Sequence, residues 1–190
     1  MAGHPDQLAL AQGYRQAVAS GELRTYFRRH WQKSQEYAGW LSENQLHELS
    51  VEQAATLYRS SGGSRSADFK ANSIAEVRDS LDFLLYDTIK LEGRFDECVS
   101  PEGAYKLVGA GKDFITYLLC LREPTLFCVW NASGERALKK LSRYPETLRK
   151  GHWGLRYIDL LDSLHRVRLQ LELADFREVD QFVYWMGKKK

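Results

Sequence analysis

An all-α fold is predicted by three features of the sequence. Ser73-Ile74-Ala75-Glu76 is a capping box that opens an amphipathic helix to about Tyr86, with Val77, Leu81, Leu84 and Leu85 inward. Ile158, Leu161, Leu164, Val167 and Leu171 hold helical register across residues 155–173. Between these segments, Phe114, Ile115, Leu118, Leu119 and Leu121 make residues 112–121 a helix apolar over a wide arc, as a central helix is. A chain of 190 residues with 44% hydrophobic content fits one domain with a sizeable core.

The elements follow in order. Residues 5–19 read as a helix, with Pro5 near its start, Leu8, Ala11 and Val18 on the apolar side and Gly21 beyond its end. Residues 22–40 form a second helix with Leu23, Phe27, Trp31, Tyr37 and Trp40 as apolar content. The i,i+4 spacing of Phe27 and Trp31 assigns them to core packing, and leaves Arg28, Arg29 and Lys33 on the remaining surface. A short helix covers residues 51–58. Residues 60–71, SSGGSRSADFKA, are a loop by composition, carrying Arg65 and Lys70 just after Arg59. Such a loop either clamps nucleic acid or simply connects. After the capped helix, residues 94–99 are a helix or turn, and Ser100-Pro101-Glu102-Gly103 is punctuation.

Next come a Gly109-Ala110-Gly111 turn, the central helix, its end at Pro124, and a short buried, strand-like run over residues 126–130 that ends at Asn131. Residues 132–141 are helical and carry Arg136, Lys139 and Lys140. Residues 143–154 form a basic, aromatic loop with Arg143, Tyr144, Arg149, Lys150, His152 and Trp153. That mixture suits phosphate contact with base stacking, or a surface loop tucked in by its rings. The long helix over residues 155–173 is followed by a last one over 177–186, with Val179, Phe182, Val183 and Met186 inward. There Tyr184 and Trp185 close the body or line a pocket. Residues 1–72 are thus an N-terminal helical region with a basic Gly/Ser loop, and residues 73–190 a second region, the two forming one compact unit.

The glycine turn carries the functional reading. Gly109 and Gly111 permit positive φ and close backbone approach. A helix starting at Lys112 points its unpaired amides and the positive end of its dipole at one place, which suits a phosphate. The alternative is a tight helix–helix connection.

Leu107-Val108-Gly109-Ala110-Gly111-Lys112 resembles the hairpin of the helix-hairpin-helix DNA glycosylase superfamily, followed as there by a Pro-containing turn at Pro124 and a buried run, Val129-Trp130-Asn131. The resemblance implies a helix-hairpin-helix glycosylase-like domain with an N-terminal helical extension. It also implies double-stranded DNA as partner and phosphate contact by Gly109, Ala110, Gly111 and Lys112; with no Cys-x-x-Cys the four-cysteine iron–sulfur loop of some members is absent, and no cofactor or metal is expected. Arg65, Lys70, Lys139, Lys140, Arg143, Arg149 and Lys150 are the further DNA-binding candidates, and Trp130, Trp153, Tyr184 and Trp185 the base-pocket or stacking rings. In bifunctional members a catalytic Lys stands two residues after the second hairpin glycine and an Asp eighteen residues beyond it. Those positions here are Asp113 and Asn131. Without a Lys there is no Schiff-base amine, so the resemblance implies monofunctional base excision. Asp113 and Asn131 are the catalytic candidates, as an exchanged pair. The alternative has Asp113 capping the hairpin helix and Asn131 the next one.

A second, looser resemblance runs from Arg94-Phe95-Asp96 through the hairpin to Val129-Trp130-Asn131 and Ala137-Leu138-Lys139-Lys140-Leu141. It is similar to N-terminal DNA-reading domains of McrB-like restriction ATPases and other defence proteins. It implies modified or foreign DNA, read with or without base chemistry, and with a separate effector in the second case.

Composition adds limits. Formal net charge is only +2, but residues 106–150 hold nine Lys/Arg against four acids on a weakly acidic remainder. Cys98, Cys120 and Cys128 lie in apolar surroundings and read as buried thiols. The histidines, His4, His30, His47, His152 and His165, have no metal-ligand spacing. No signal peptide and no run of about 20 apolar residues is present, so a cytoplasmic protein is expected.

Overall fold

The computed structural model describes residues 7–145 and 152–188, and these are all-α, with no β-strand among them. Pro5, Arg149, Lys150 and the last two lysines fall outside the described residues. The helices are α1 (Gln7–Ala19), α2 (Arg24–His30), α3 (Ser34–Trp40), α4 (Glu43–Leu46), α5 (Val51–Ser60), α6 (Ser66–Phe69), α7 (Ile74–Tyr86), α8 (Leu91–Val99), α9 (Lys112–Arg122), α10 (Ala132–Lys140), α11 (Trp153–Gln170) and α12 (Phe176–Lys188). No described helix is long and apolar enough to cross a membrane.

Helix α9 is the centre, and its eight residues from Phe114 to Leu121 are all buried. A helix buried on every side needs partners all round: α3 and α8 pack on it, while α10 pairs with α12 and α11 with α8. One hydrophobic core includes Ala11 and Tyr14 at one end of the chain and Trp185 and Met186 at the other, so it crosses the boundary between residues 72 and 73. The capping box opens α7 as expected: the Glu76 amide donates to Ser73 Oγ at 3.2 Å and the Ser73 amide to Glu76 Oε2 at 2.6 Å. A second box, Ser50 with Gln53, opens α5 and was legible in the same way.

Four local expectations need correction. The helix expected over residues 22–40 breaks at Trp31. In a continuous helix the His30 carbonyl would accept the Ser34 amide. Here it accepts the Tyr117 hydroxyl at 2.6 Å, Ser34 turns back to the Trp31 carbonyl at 3.0 Å, and the Trp31 indole donates to Asp180 at 2.9 Å. Two tertiary hydrogen bonds and a turn bond outweigh one helical bond. In α1 the buried side is Ala11, Tyr14 and Ala17, whereas Leu8 and Val18 are exposed, because Tyr14 packs edge-on against Phe182 and Trp185. Phe27 is likewise exposed while Trp31 is buried. The run before Asn131 is extended coil rather than strand. Leu126 is exposed, burial begins at Cys128, and the Trp130 amide donates to Thr116 Oγ1 at 2.9 Å.

All three cysteines are free and buried. Burial pushes the thiols of Cys98 and Cys128 up to about 12 and that of Cys120 well above the ordinary range. Because the thiolate is the nucleophile, a maleimide is expected to label the native protein at least 100-fold more slowly than the urea-unfolded chain. Prompt labelling of any native cysteine would contradict this.

Candidate nucleic-acid interface

The hairpin is held from outside. Gly109 has φ +74°, and a Cβ there would stand 2.7 Å from the Phe69 amide nitrogen, so both conformation and space require glycine. Asn72 clamps the turn at two points, accepting from the Val108 amide at 2.8 Å and donating to the Val108 carbonyl at 3.0 Å. The Tyr58 hydroxyl donates to the Gly109 carbonyl at 2.9 Å and accepts from the Arg65 amide at 3.1 Å. The Tyr58 ring stacks on Phe69 with centroids 4.3 Å apart. Lys106 Nζ donates to the Ala110 carbonyl. Burial holds this ammonium below the ordinary lysine range, with Arg65 adding to the effect and Cys98 opposing it.

These contacts bring two distant stretches together. A cleft of about 230 Å³ lies between residues 61–65 and residues 109–111, with Tyr58, Asp113 and Phe114 in its lining. Among the described residues nothing accepts the amides of Gly111, Lys112 or Asp113, and Gly111 caps α9 with no side-chain bond. Arg65 lines the cleft while bonded to Asp68 at 2.6–2.7 Å. Lys70 is exposed on the same loop. Lys112 turns aside. Its ammonium lies 3.4 Å from Asp113, 3.6 Å from Glu135 and 5.1 Å from the centre of the Trp130 ring.

Asp113 lines the hairpin cleft and Asn131 does not. Asp113 is half-exposed, faces the hairpin cleft and pairs with Lys112. Asn131 caps α10, its Oδ1 accepting the Gly134 amide at 2.9 Å, and its Nδ2 donates to Asp180 Oδ1 at 2.9 Å. Asp180 is 4% exposed. Its Oδ2 accepts the Tyr26 hydroxyl at 2.7 Å and the Trp31 indole at 2.9 Å. Burial raises its carboxyl above the usual range, against the lowering effect of those three donors. No cation pairs with it among the described residues.

The aromatic candidates divide. Trp130 and Trp185 are 2% and 3% exposed and pack in the core, so neither ring offers an open stacking face. Trp130 donates to Glu135 at 2.6 Å and shares the Arg156 guanidinium with the half-buried Trp153. Tyr184 is half-buried, stacked on Tyr26 with centroids 3.8 Å apart and covered by Lys188. Lys139 is exposed and lies over Tyr144, Lys140 donates to the Met186 carbonyl at 3.2 Å, and Arg143 is half-buried. No group of three or more His, Cys, Asp or Glu is placed to hold a metal ion among the described residues.

No protein-family model, curated protein or solved structure matches this chain. Sequence reasoning missed Asp180, Tyr58 and Asn72. The signal for Asp180 was present: it stands four residues after Phe176 and three before Val183, an acid on the buried side of an amphipathic helix. Nothing local marked Tyr58 or Asn72, whose partners lie 51 and 36 residues away.

Helix α2 links these two regions. His30 stacks on Tyr26 with centroids 4.2 Å apart and sits beside Gly62 at the cleft. Burial lowers its imidazole to about 4, assisted by Arg29 and opposed by a bond to the Ser60 backbone. Between pH 4 and 6.5 the unfolded chain therefore binds more protons than the folded one, and stability falls as pH falls through that window. The contribution is about 1–2 kcal/mol once solvent screening is allowed for. His30→Phe keeps a ring there and is expected to flatten this part of the stability–pH curve measured by urea unfolding. An unchanged slope would place the titration elsewhere.

Proposed function

We propose that the chain is a monofunctional DNA glycosylase of helix-hairpin-helix type that excises a modified base from double-stranded, foreign DNA. The observation that carries the reading is the hairpin cleft. Gly111 and Asp113, whose amides have no acceptor among the described residues, line it with Arg65 at the N-terminus of α9, and a phosphate would suit that space. Asp113 on its edge is unfavourable to an anion, and its ion pair with Lys112 offsets that charge. Exposed Lys70 and Lys139 add non-specific attraction to the backbone.

The proposed chemistry is hydrolysis of the base–sugar bond. The target nucleotide leaves the stack, at a cost of a few kcal/mol that is smallest for damaged or modified pairs. The base departs with the bonding electron pair and gains a proton. Water adds to the sugar carbon, and an abasic site remains. With Asp113 where a Schiff-base lysine would stand, the strand is not cut. The defence setting rests on the looser likeness to DNA-reading domains alone.

One observation favours a second reading, a non-catalytic reader of modified bases acting with a separate effector: Asn131 is absent from the lining of the hairpin cleft that Asp113 faces. An abasic-site assay separates the two. Protein is incubated with unmodified DNA and with phage DNA bearing hypermodified cytosine or thymine, then treated with alkali. Strand breaks confined to one modified DNA are expected. Tight, salt-sensitive binding without breaks would establish the reader instead, and neither binding nor breaks would overturn both.

A further inference from the structure

We propose that Asp180 is a positioning residue: it supplies the negative charge of the Asn131 site and fixes the orientation of the Asn131 amide. The inference rests on the glycosylase reading for what that charge does, and on geometry alone for the pair.

The Asn131 amide has one allowed orientation. Its oxygen accepts the Gly134 amide, so its NH2 group must face Asp180 Oδ1. Asp180 in turn divides its acceptors, with Oδ1 for Asn131 and Oδ2 for both Tyr26 and Trp31. All three donors are neutral, so the carboxylate charge is hydrogen-bonded but not cancelled. Most buried charges are paired with an opposite one. An unpaired one behind the partly buried Asn131 and Tyr26 acts through a low dielectric on anything positive placed against them. A sugar developing oxocarbenium character is such a group. The geometry also explains the residue at 131. An aspartate there would set two carboxylates face to face, whereas asparagine donates.

The pair can be exchanged, and this gives the test. In Asp180→Asn alone, the NH2 group of the new amide must face either that of Asn131, which cannot turn over without losing Gly134, or the Trp31 indole N–H. In Asn131→Asp alone, two carboxylates face each other with no donor between them, unless one takes up a proton. With both changes, the new amide oxygen at 180 still accepts from Tyr26 and Trp31, its NH2 faces the carboxylate at 131, and that carboxylate still caps α10. Each single variant is expected to lower Tm by roughly 5–10 °C, and the double exchange to recover to within about 3 °C of the parent. Additive losses in the double variant would overturn the pair.

Turnover separates charge from structure. On a DNA that the parent converts to abasic sites, Asp180→Asn is expected to lose about 100-fold in kcat at a temperature where it is folded, with its Kd for DNA unchanged. The exchanged protein is expected to regain at least a tenth of parental kcat. Parental turnover in Asp180→Asn would overturn the site role even with a coupled cycle. If the parent forms no abasic sites on any DNA, the glycosylase reading fails, while the Tm cycle still decides the pair.

Discussion

Asp180→Ala is expected to destabilise the protein by about 3–5 kcal/mol, a loss of roughly 10 °C in Tm for a chain of this size. The substitution removes no exposed contact and no salt bridge. It leaves the buried Trp31 indole N–H and the partly buried Tyr26 hydroxyl and Asn131 amide without their acceptor. Each unsatisfied buried donor costs about 1–3 kcal/mol, and a cavity of carboxylate size adds to that. The effect spreads because the donors belong to α2, its C-terminal turn and the α10 cap, while Asp180 belongs to α12. Asp113→Ala is the internal control. That carboxylate is 53% exposed and paired, among the described residues, only with Lys112, so its removal is expected to change stability by less than about 0.5 kcal/mol. Thermal unfolding followed by circular dichroism compares the two, and equal losses would show that Asp180 is not the node argued for.

Gly109→Ala is expected to weaken DNA binding about tenfold or more and to cost about 2–4 kcal/mol of stability. At φ +74° an L-residue is strained, and the added methyl would stand 2.7 Å from the Phe69 nitrogen and 3.0 Å from Asp68 Cβ. Backbone cannot yield as a flexible side chain would, so the turn must move away from α6. That movement breaks the Tyr58 and Asn72 contacts and reorients the amides ahead of α9. Gly111→Ala tests the opposite case. Its φ is −118° and its Cβ would meet nothing within 4 Å, so the fold tolerates the change within about 1 kcal/mol. Its methyl nevertheless enters the space where a phosphate would approach. Fluorescence anisotropy with labelled duplex DNA at fixed salt is expected to show weaker binding for both variants, with folding disturbed only in the first. Unchanged affinity in both would remove the hairpin from the interface.

The sequence by itself determined the helices whose causes are local. The Ser73–Glu76 box sets the start of α7, the glycine turn sets the start of α9, and a continuous apolar surface makes α9 central. These signals act within a few residues, through capping, φ and periodicity, and can be read without a partner. The same locality put Asn131 at a cap and Asp113 in a first turn. Only the tertiary structure decided what those residues meet. Helix α2 stops at Trp31 because Tyr117 and Asp180, 87 and 149 residues from their partners, offer better hydrogen bonds than the next turn would. Trp130 and Trp185 are interior and Phe27 is exposed, which no period distinguishes, because burial depends on the surface another helix presents. The carboxylate beside Asn131 came from residue 180 rather than residue 113. A hydrogen bond is settled by distances of about 3 Å in space, and spacing along the chain does not contain them.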